Sequence, residues 1–215
     1  MYAVKELFVT LQGEGAQAGR AAVFVRFTGC NLWSGRAADR GRGAGGCAAW
    51  CDTDFVGTDG PGGGRFAAAE LADRVVAAWG PRPGRPYAVC TGGEPLLQLD
   101  PPLIAALAAR EVTIAIETNG TQPIPDGIDW VCVSPKAGAP LVVTTGDELK
   151  LVYPQADAGP ALDPAALLGL DFRHFFLQPK DGPDRAATTA ACVAYCRDHP
   201  PWRMSLQAHK LLGIP

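Results

Sequence analysis

Apolar positions along the chain fall into short continuous runs separated by stretches with a helical period. Ala3 to Gln12 reads as a strand that enters a Gly13-Glu14-Gly15 turn, and Ala22 to Thr28 (AVFVRFT) reads as a second, mostly apolar strand. Tyr87 to Cys90, Val112 to Glu117 (VTIAIE), Asp129 to Val133, Glu148 to Val152 and His174 to Leu177 add further strands. Between them, Leu71, Val75 and Trp79 lie four apart within Phe66 to Trp79, which is one face of a helix that Gly80-Pro81 stops. Pro102 to Arg110 and Arg185 to Arg197 read as two more helices. Repeated βα units with continuous apolar strands predict a parallel sheet covered by helices. The chain is shorter than the ~250 residues typical of a closed eight-stranded barrel. The expectation is therefore an α/β fold, a partial (β/α) barrel of about six parallel strands, in one domain covering residues 1–215.

Composition agrees with one core and removes several function classes. At 215 residues, 47% hydrophobic and 19% charged, the chain can bury one sizeable core. A net charge of -3 leaves no electrostatic footprint for nucleic acid. Met1 to Thr10 lacks the basic-then-apolar build of a signal peptide, and no uncharged run approaches the ~20 apolar residues that span a bilayer. A cytoplasmic protein with no membrane partner is expected. Seven cysteines in that compartment read as metal ligands or buried thiols rather than disulfides.

Three of those cysteines carry the chemistry. Cys30, Cys47 and Cys51 share the glycine-rich loop 29–64 directly after the second strand, and Arg36 to Gly46 within it has the composition of a flexible insertion. Three thiolates can hold three irons of a cubane cluster and leave the fourth iron open to bind something else. Polar or glycine-rich residues also recur at the carboxyl ends of the strands, where α/β folds gather their function. They are Gly29-Cys30, Thr91-Gly92-Gly93-Glu94-Pro95, Glu117-Thr118-Asn119-Gly120, Ser134-Pro135-Lys136 and Gln178-Pro179-Lys180-Asp181. Five strand ends facing one mouth imply a large polar ligand site.

A cysteine triad after the first barrel strand, Trp50 immediately before the last cysteine, and Gly-Gly-Glu-Pro after the next strand resemble the radical S-adenosylmethionine enzymes. Within that group, LQGEG at 11–15, VRFTGCNLW at 25–33, CDTDF at 51–55, CTGGEP at 90–95, ETNG at 117–120, VSPK at 133–136 and the terminal HKLLGIP look like the 7-carboxy-7-deazaguanine synthase family. The resemblance runs nearly end to end. The chain departs from the common three-then-two cysteine spacing, with sixteen residues between Cys30 and Cys47 and three between Cys47 and Cys51.

The resemblance implies a role for each motif. Cys30, Cys47 and Cys51 would ligate a [4Fe-4S] cluster whose open iron binds S-adenosylmethionine. Trp50, Cys51, Asp52, Gly92 and Gly93 would border that cofactor, with Ser134, Pro135, Lys136 and Gln178, Pro179, Lys180, Asp181 on its other side. Glycine at 92 and 93 suits close approach of the methionyl amine because it has no Cβ. The implied substrate is 6-carboxy-5,6,7,8-tetrahydropterin. Leu11, Gln12, Gly13 and Glu14 would read its heterocyclic edge, and Arg26 would pair with its carboxylate through a planar fork. Thr91, Glu117 and His209 would complete that site, and the carboxylate of Pro215, an anion with two acceptor oxygens, would receive ring N–H donors. Thr53 resembles the family position that coordinates Mg²⁺, a hard ion that accepts few protein oxygens. A homodimer and a small flavodoxin-like or ferredoxin-like electron donor are implied in the same way.

Bland readings compete with each role. The triad could be a structural zinc site with a fourth ligand elsewhere, and the triad with Gly-Gly-Glu-Pro would also suit an enzyme that activates a glycyl radical on another protein. Arg26 could be a surface charge on an edge strand, Glu117 a turn cap, Thr53 a turn hydroxyl, and the C-terminus a frayed tail. Cys90 and Cys132, in apolar strands, read as small hydrophobes. Cys192 and Cys196, four apart on one helix face, read as packing residues, and His174 and His199 receive no role.

Overall fold

The computed structural model describes residues 1–155 and 159–215. Among the described residues nine strands form one sheet: β1 (Tyr2–Leu11), β2 (Ala21–Phe27), β3 (Gly64–Phe66), β4 (Tyr87–Gly92), β5 (Thr113–Thr118), β6 (Trp130–Val133), β7 (Thr145–Tyr153), β8 (Asp171–Pro179) and β9 (Trp202–Met204). Their order across the sheet is β3-β1-β2-β4-β5-β6-β7-β8-β9. β1 pairs antiparallel with β2 and β3, while every pairing from β2 through β9 is parallel. The expected parallel half-barrel is therefore present, with an antiparallel edge added before it and β9 after it. β3 and β9 remain as open edges.

Helices α1 (Ala68–Trp79), α2 (Pro101–Ala108), α3 (Pro164–Leu167), α4 (Arg185–Asp198) and α5 (Ala208–Leu212) complete the chain. The anticipated α1 amphipathy is realised, since Leu71, Ala72, Val75 and Trp79 are its buried residues. The alternation of strand and helix fails at two crossovers. No helix joins β5 to β6 or β6 to β7. Pro123, Pro125 and Gly127 occupy the first crossover and Pro135, Gly138 and Pro140 the second, and prolines at such spacing remove the amide donors a helix needs.

Period-2 alternation sends each strand's side chains to two different environments. In β5, Ile114 and Ile116 pack beneath α1 and α2 with Val23, Val25 and Cys90. Ala115 faces the other way, joining Ala22, Tyr87 and Val89 in an apolar floor flanked by Phe24 and Trp130. Continuing along that inner face, Glu117 on β5, Glu148 and Lys150 on β7 and Gln178 on β8 stand above the floor. His174 belongs to the floor's rim, stacked 6.1 Å from the Trp130 ring. Leu149 and Leu151, the alternate β7 residues, pack into the second helix-side core with Leu177, Cys192 and Trp202.

Side chains and loops close the mouth where strand pairing does not. Gly15 N donates to Ser205 Oγ at 2.9 Å, Ala16 N to Glu148 Oε2 at 2.7 Å and Ala208 N to Gly13 O at 3.0 Å. The turn after β1 is thereby fastened to β7 and to the segment after β9. Adding a Cβ at Gly15 (φ +66°) would put it 2.4 Å from the Glu148 carboxylate, so this turn requires glycine for both conformation and space.

Candidate active site

One cavity of about 440 Å³ opens at the carboxyl ends of the parallel strands. Cys30, Cys47 and Cys51 all line it. Cys30 follows Gly29, whose φ of +86° turns the chain off the end of β2. The insertion after it folds back on itself: Gly45 N donates to Leu32 O at 3.4 Å and Gly46 N to Ala137 O at 2.7 Å. A Cβ at Gly43 would sit 2.3 Å from Leu32 O, so the return of this excursion depends on glycine. The sixteen-residue gap is thus a closed side loop, and Cys47 reaches the cavity beside Cys30. The short second gap is a 3₁₀ turn, Gly46–Ala49, after which Cys51 N donates to Cys47 O at 2.7 Å. Trp33, Ala48 and Phe55 form a small apolar cluster against Cys30 and Cys51. Burial pushes the Cys47 thiol up to about 11, against an opposing pull from Lys136; metal binding would deprotonate it.

The sulfur spacing bears on what these thiols can hold. Around one tetrahedral zinc ion with Zn–S bonds near 2.3 Å, sulfurs sit about 3.8 Å apart. The three sulfurs here do not all lie within 4.8 Å of one another, a separation met among the described residues only by Glu117, Cys132 and Glu148. A cubane spreads its ligands over separate irons and suits the wider set.

Beside the cysteines, the β4 end packs without room for side chains. A Cβ at Gly93 would lie 2.2 Å from Gly29 O and 2.6 Å from Cys30 Cβ, and one at Gly92 would lie 2.2 Å from Phe27 O. The glycines therefore let β4 press against the cysteine-bearing end of β2. Glu94, fully buried, accepts from Leu96 N at 3.0 Å, Thr118 Oγ1 at 2.8 Å and Asn119 N at 2.8 Å, which locks the β4 and β5 loops together. Burial raises its carboxyl above the usual range, and those three donors oppose the rise.

Of the residues expected near the cofactor, Trp50, Cys51, Asp52, Gly92, Gly93, Ser134, Lys136 and Gln178 line the cavity. Pro135, Pro179, Lys180 and Asp181 do not; they stand behind its wall. Pro135 O accepts from Gln155 Nε2 at 3.0 Å and Lys180 O from Thr188 Oγ1 at 2.8 Å. Asp181 accepts from Lys210 Nζ at 2.7 Å, and the same ammonium contacts Asp52. Lys210 thus ties the cysteine loop to the end of β8.

Every residue expected to face the substrate lines the cavity: Leu11, Gln12, Gly13, Glu14, Arg26, Thr91, Glu117, His209 and Pro215; Thr53, expected at the Mg²⁺ position, lines it as well. Arg26 is not an unpartnered cation. Its Nε donates to Glu6 Oε1 at 2.6 Å across the β1–β2 ladder, where the two residues are direct partners. Glu117 is no turn cap, because Gln12 Nε2 donates to one of its oxygens at 3.0 Å and Lys150 Nζ to the other at 2.6 Å. Nor does the tail trail away. Ile214 N donates to His209 O at 3.1 Å and Thr10 Oγ1 to the Pro215 carbonyl oxygen at 2.8 Å.

No family model matches the chain. It is 65% identical over 215 residues to 7-carboxy-7-deazaguanine synthase of Bordetella pertussis, covering 100% of this chain and 99% of that one. The enzyme of the same name from Caulobacter vibrioides is 60% identical with the same coverage. The chain belongs to the 7-carboxy-7-deazaguanine synthase family. The crystal structure of QueE from Escherichia coli, 27% identical, matches with a TM-score of 0.70 over 97% of this chain and 94% of that one. Membership of this radical S-adenosylmethionine family brings a [4Fe-4S] cluster and S-adenosylmethionine as cofactors, and the converging, widely spaced cysteines fit the cluster.

Lys150, Gln207 and Lys210, which organise the cavity here, escaped sequence reasoning, and Glu94 and Asn119 were named at strand ends without a role of their own. Lys150 had a readable signal. Glu148 and Lys150 alternate with leucines in a run that otherwise reads as a buried strand, so both charges had to face one interior. Cys132 was read as a plain hydrophobe, yet its Sγ lies 3.4 Å from Glu117 Oε2 on the polar inner face. Among the described residues no helix is long and apolar enough to cross a membrane.

Proposed function

We propose that this chain converts 6-carboxy-5,6,7,8-tetrahydropterin to 7-carboxy-7-deazaguanine and ammonia, with its reaction centre between the cysteine loop and the C-terminal tail. The observation that carries this reading is one cavity lined both by the three cysteines and by Gln12, Glu14, Glu117, His209 and Pro215. When bound, the cluster and S-adenosylmethionine supply a 5′-deoxyadenosyl radical for hydrogen abstraction at C6 of the pterin. The chain's own residues do the rest. Gly92 and Gly93 hold the β4 end close to Cys30, and Ser134 and Lys136 also line the cavity. Glu14 and Glu117 accept the pterin's N–H donors, the Gln12 and Gly13 backbone frames its edge, and Arg26 with Thr91 receives its carboxylate. Apolar walls at Phe8 and Phe24, stacked 5.7 Å apart, exclude water from the base of the site. Anaerobic incubation of reconstituted enzyme with substrate, S-adenosylmethionine and reductant tests the proposal. Stoichiometric ammonia and 7-carboxy-7-deazaguanine support it, and 5′-deoxyadenosine without either product overturns it.

Three further parts of the reading rest on resemblance to the family. Thr53, half-buried on the cavity wall, coordinates Mg²⁺ through its hydroxyl. Thr53→Ala should keep its cluster but require more Mg²⁺ for turnover, because one oxygen ligand is lost; an unchanged Mg²⁺ titration removes Thr53 from the site. A flavodoxin-like or ferredoxin-like protein delivers the electron, and two copies of the chain form a homodimer.

The Pro215 carboxylate receives ring N–H donors, with Thr10 and the His209 carbonyl seating the tail. Deleting Pro215, or appending residues after it, should raise KM for the pterin about tenfold or more, while cluster content and S-adenosylmethionine binding stay normal. Equal KM for tagged and untagged enzyme removes the carboxylate from recognition.

A further inference from the structure

Beneath the proposed pterin site lies a charge cluster whose centre is Lys150. β7 alternation turns Lys150 to the inner face, where it is 2% exposed. Removing an ammonium from water is costly unless carboxylates and hydrogen bonds replace the lost hydration. Here its Nζ lies 2.6 Å from Glu14 Oε2 and 2.6 Å from Glu117 Oε2. Those two carboxylates come from opposite parts of the sheet, one from the turn after β1 and one from the end of β5. Sharing one ammonium brings their oxygens within about 5 Å of each other.

Other groups crowd the same point. Glu148, on β7 beside Lys150, is 1% exposed. Ligand atoms of Glu117, Cys132 and Glu148 all lie within 4.8 Å of one another. Gln207 Nε2 donates to Glu14 Oε1 at 3.1 Å, and His209 approaches from α5. Burial pushes the Glu14 carboxyl up, but the Lys150 charge and the bonds from Lys150 and Gln207 outweigh it and hold the group at about 2. Burial also raises Glu148, which Lys150 only partly opposes. Lys150 is thus the cation that this acidic pocket is built around.

Accepting the pterin as substrate, we infer that Lys150 is a positioning residue: its ammonium holds Glu14 and Glu117 side by side as a paired acceptor for adjacent N–H donors of the heterocycle. Neither carboxylate could serve alone in this geometry. Without the ammonium, two carboxylates this close would share a proton, because the like charges disfavour double ionisation. A carboxyl that carries the shared proton presents an O–H where the ring presents an N–H, and recognition fails.

The test compares holoenzymes carrying Lys150→Met and Lys150→Arg with the unaltered chain. Equilibrium binding of 6-carboxytetrahydropterin and its KM are measured between about pH 6 and pH 9. Lys150→Met, unbranched and uncharged, should raise KM at neutral pH on the order of 30-fold, the size typical of a lost charged hydrogen-bond partner. The deficit should shrink as pH rises, since the shared proton then leaves. Iron content and substrate-free cleavage of S-adenosylmethionine should stay at the unaltered level, and Lys150→Arg, which restores the charge, should bring back a flat profile. Glu148 also lies within 4.8 Å of Glu117, so the control neutralises it too: in Lys150→Met/Glu14→Gln/Glu148→Gln, Glu117 is the one ionisable carboxyl left of the three, and the pH dependence should disappear. A Lys150→Met deficit equal at every pH overturns the inference, as does a pH dependence unchanged in the triple variant. Failure of the unaltered enzyme to turn over the pterin at all would instead overturn the proposed function.

Discussion

Alanine at any one of Cys30, Cys47 and Cys51 should abolish S-adenosylmethionine cleavage, whereas alanine at Cys192 or Cys196 should leave it intact. The three act as one unit because a cluster held by two thiolates leaves a second iron without a protein ligand. Cys47 is the decisive case, since the side loop between residues 33 and 44 separates it from Cys30. Gly46 N bonding to Ala137 O holds the returning chain at the cavity, so Cys47 is in place before any cluster arrives. Cys192 differs in every respect. It is fully buried in the core beneath α4, with its Sγ 3.6 Å from Tyr153 O, and its removal should cost only about 1 kcal/mol of stability. Iron and sulfide content with 5′-deoxyadenosine yield measures both sets. Full yield from Cys47→Ala would show that the loop carries no ligand at that position.

Gly93→Ala should be nearly as damaging, although the change adds a single methyl group. That methyl would lie 2.2 Å from Gly29 O, 2.7 Å from Gly29 C and 2.6 Å from Cys30 Cβ. Two of those three atoms are backbone, which cannot swing aside as a flexible side chain would. Either β4 or the start of the cysteine loop must move, at an overpacking cost of about 1–3 kcal/mol. The Glu94 N to Gly29 O bond of 3.0 Å would be strained with it. Expected outcomes are a lower melting temperature and substoichiometric iron after reconstitution. An enzyme with normal iron content and normal stability would show that the β2 and β4 ends tolerate separation. Gly93 was expected to serve the ligand; it lines the cavity, and its missing Cβ also lets two strand ends touch.

How far the fold was legible depended on element length. β2, β4 and β5 carry continuous apolar runs with polar residues toward the carboxyl end, and their positions were readable within about two residues. β3 and β9 have three residues each, too few for any period to show. α5 escaped because Leu211 and Leu212 are 63% exposed, so no buried stripe marks it. The two crossovers without a helix carry Pro123, Pro125, Pro135 and Pro140, and no helix was expected in either segment. Arg26 shows a different limit. Its pairing with Glu6 depends on the β1–β2 register, which shifts at an irregularity between Val4 and Glu6, and a one-residue slip would have turned the charges to opposite faces.

By itself the sequence determined the chemistry of this protein: three thiols in one loop and polar motifs at successive strand ends are each readable within a single segment of chain. Tertiary structure alone decided which of those groups already had partners. Glu14 and Lys150 lie 136 positions apart, and Asp52 and Lys210 lie 158 apart. No periodicity or local propensity encodes such pairs. They follow from a sheet whose two ends curl toward each other until side chains, rather than a strand ladder, bridge the gap, and that curvature is a property of nine strands packed together.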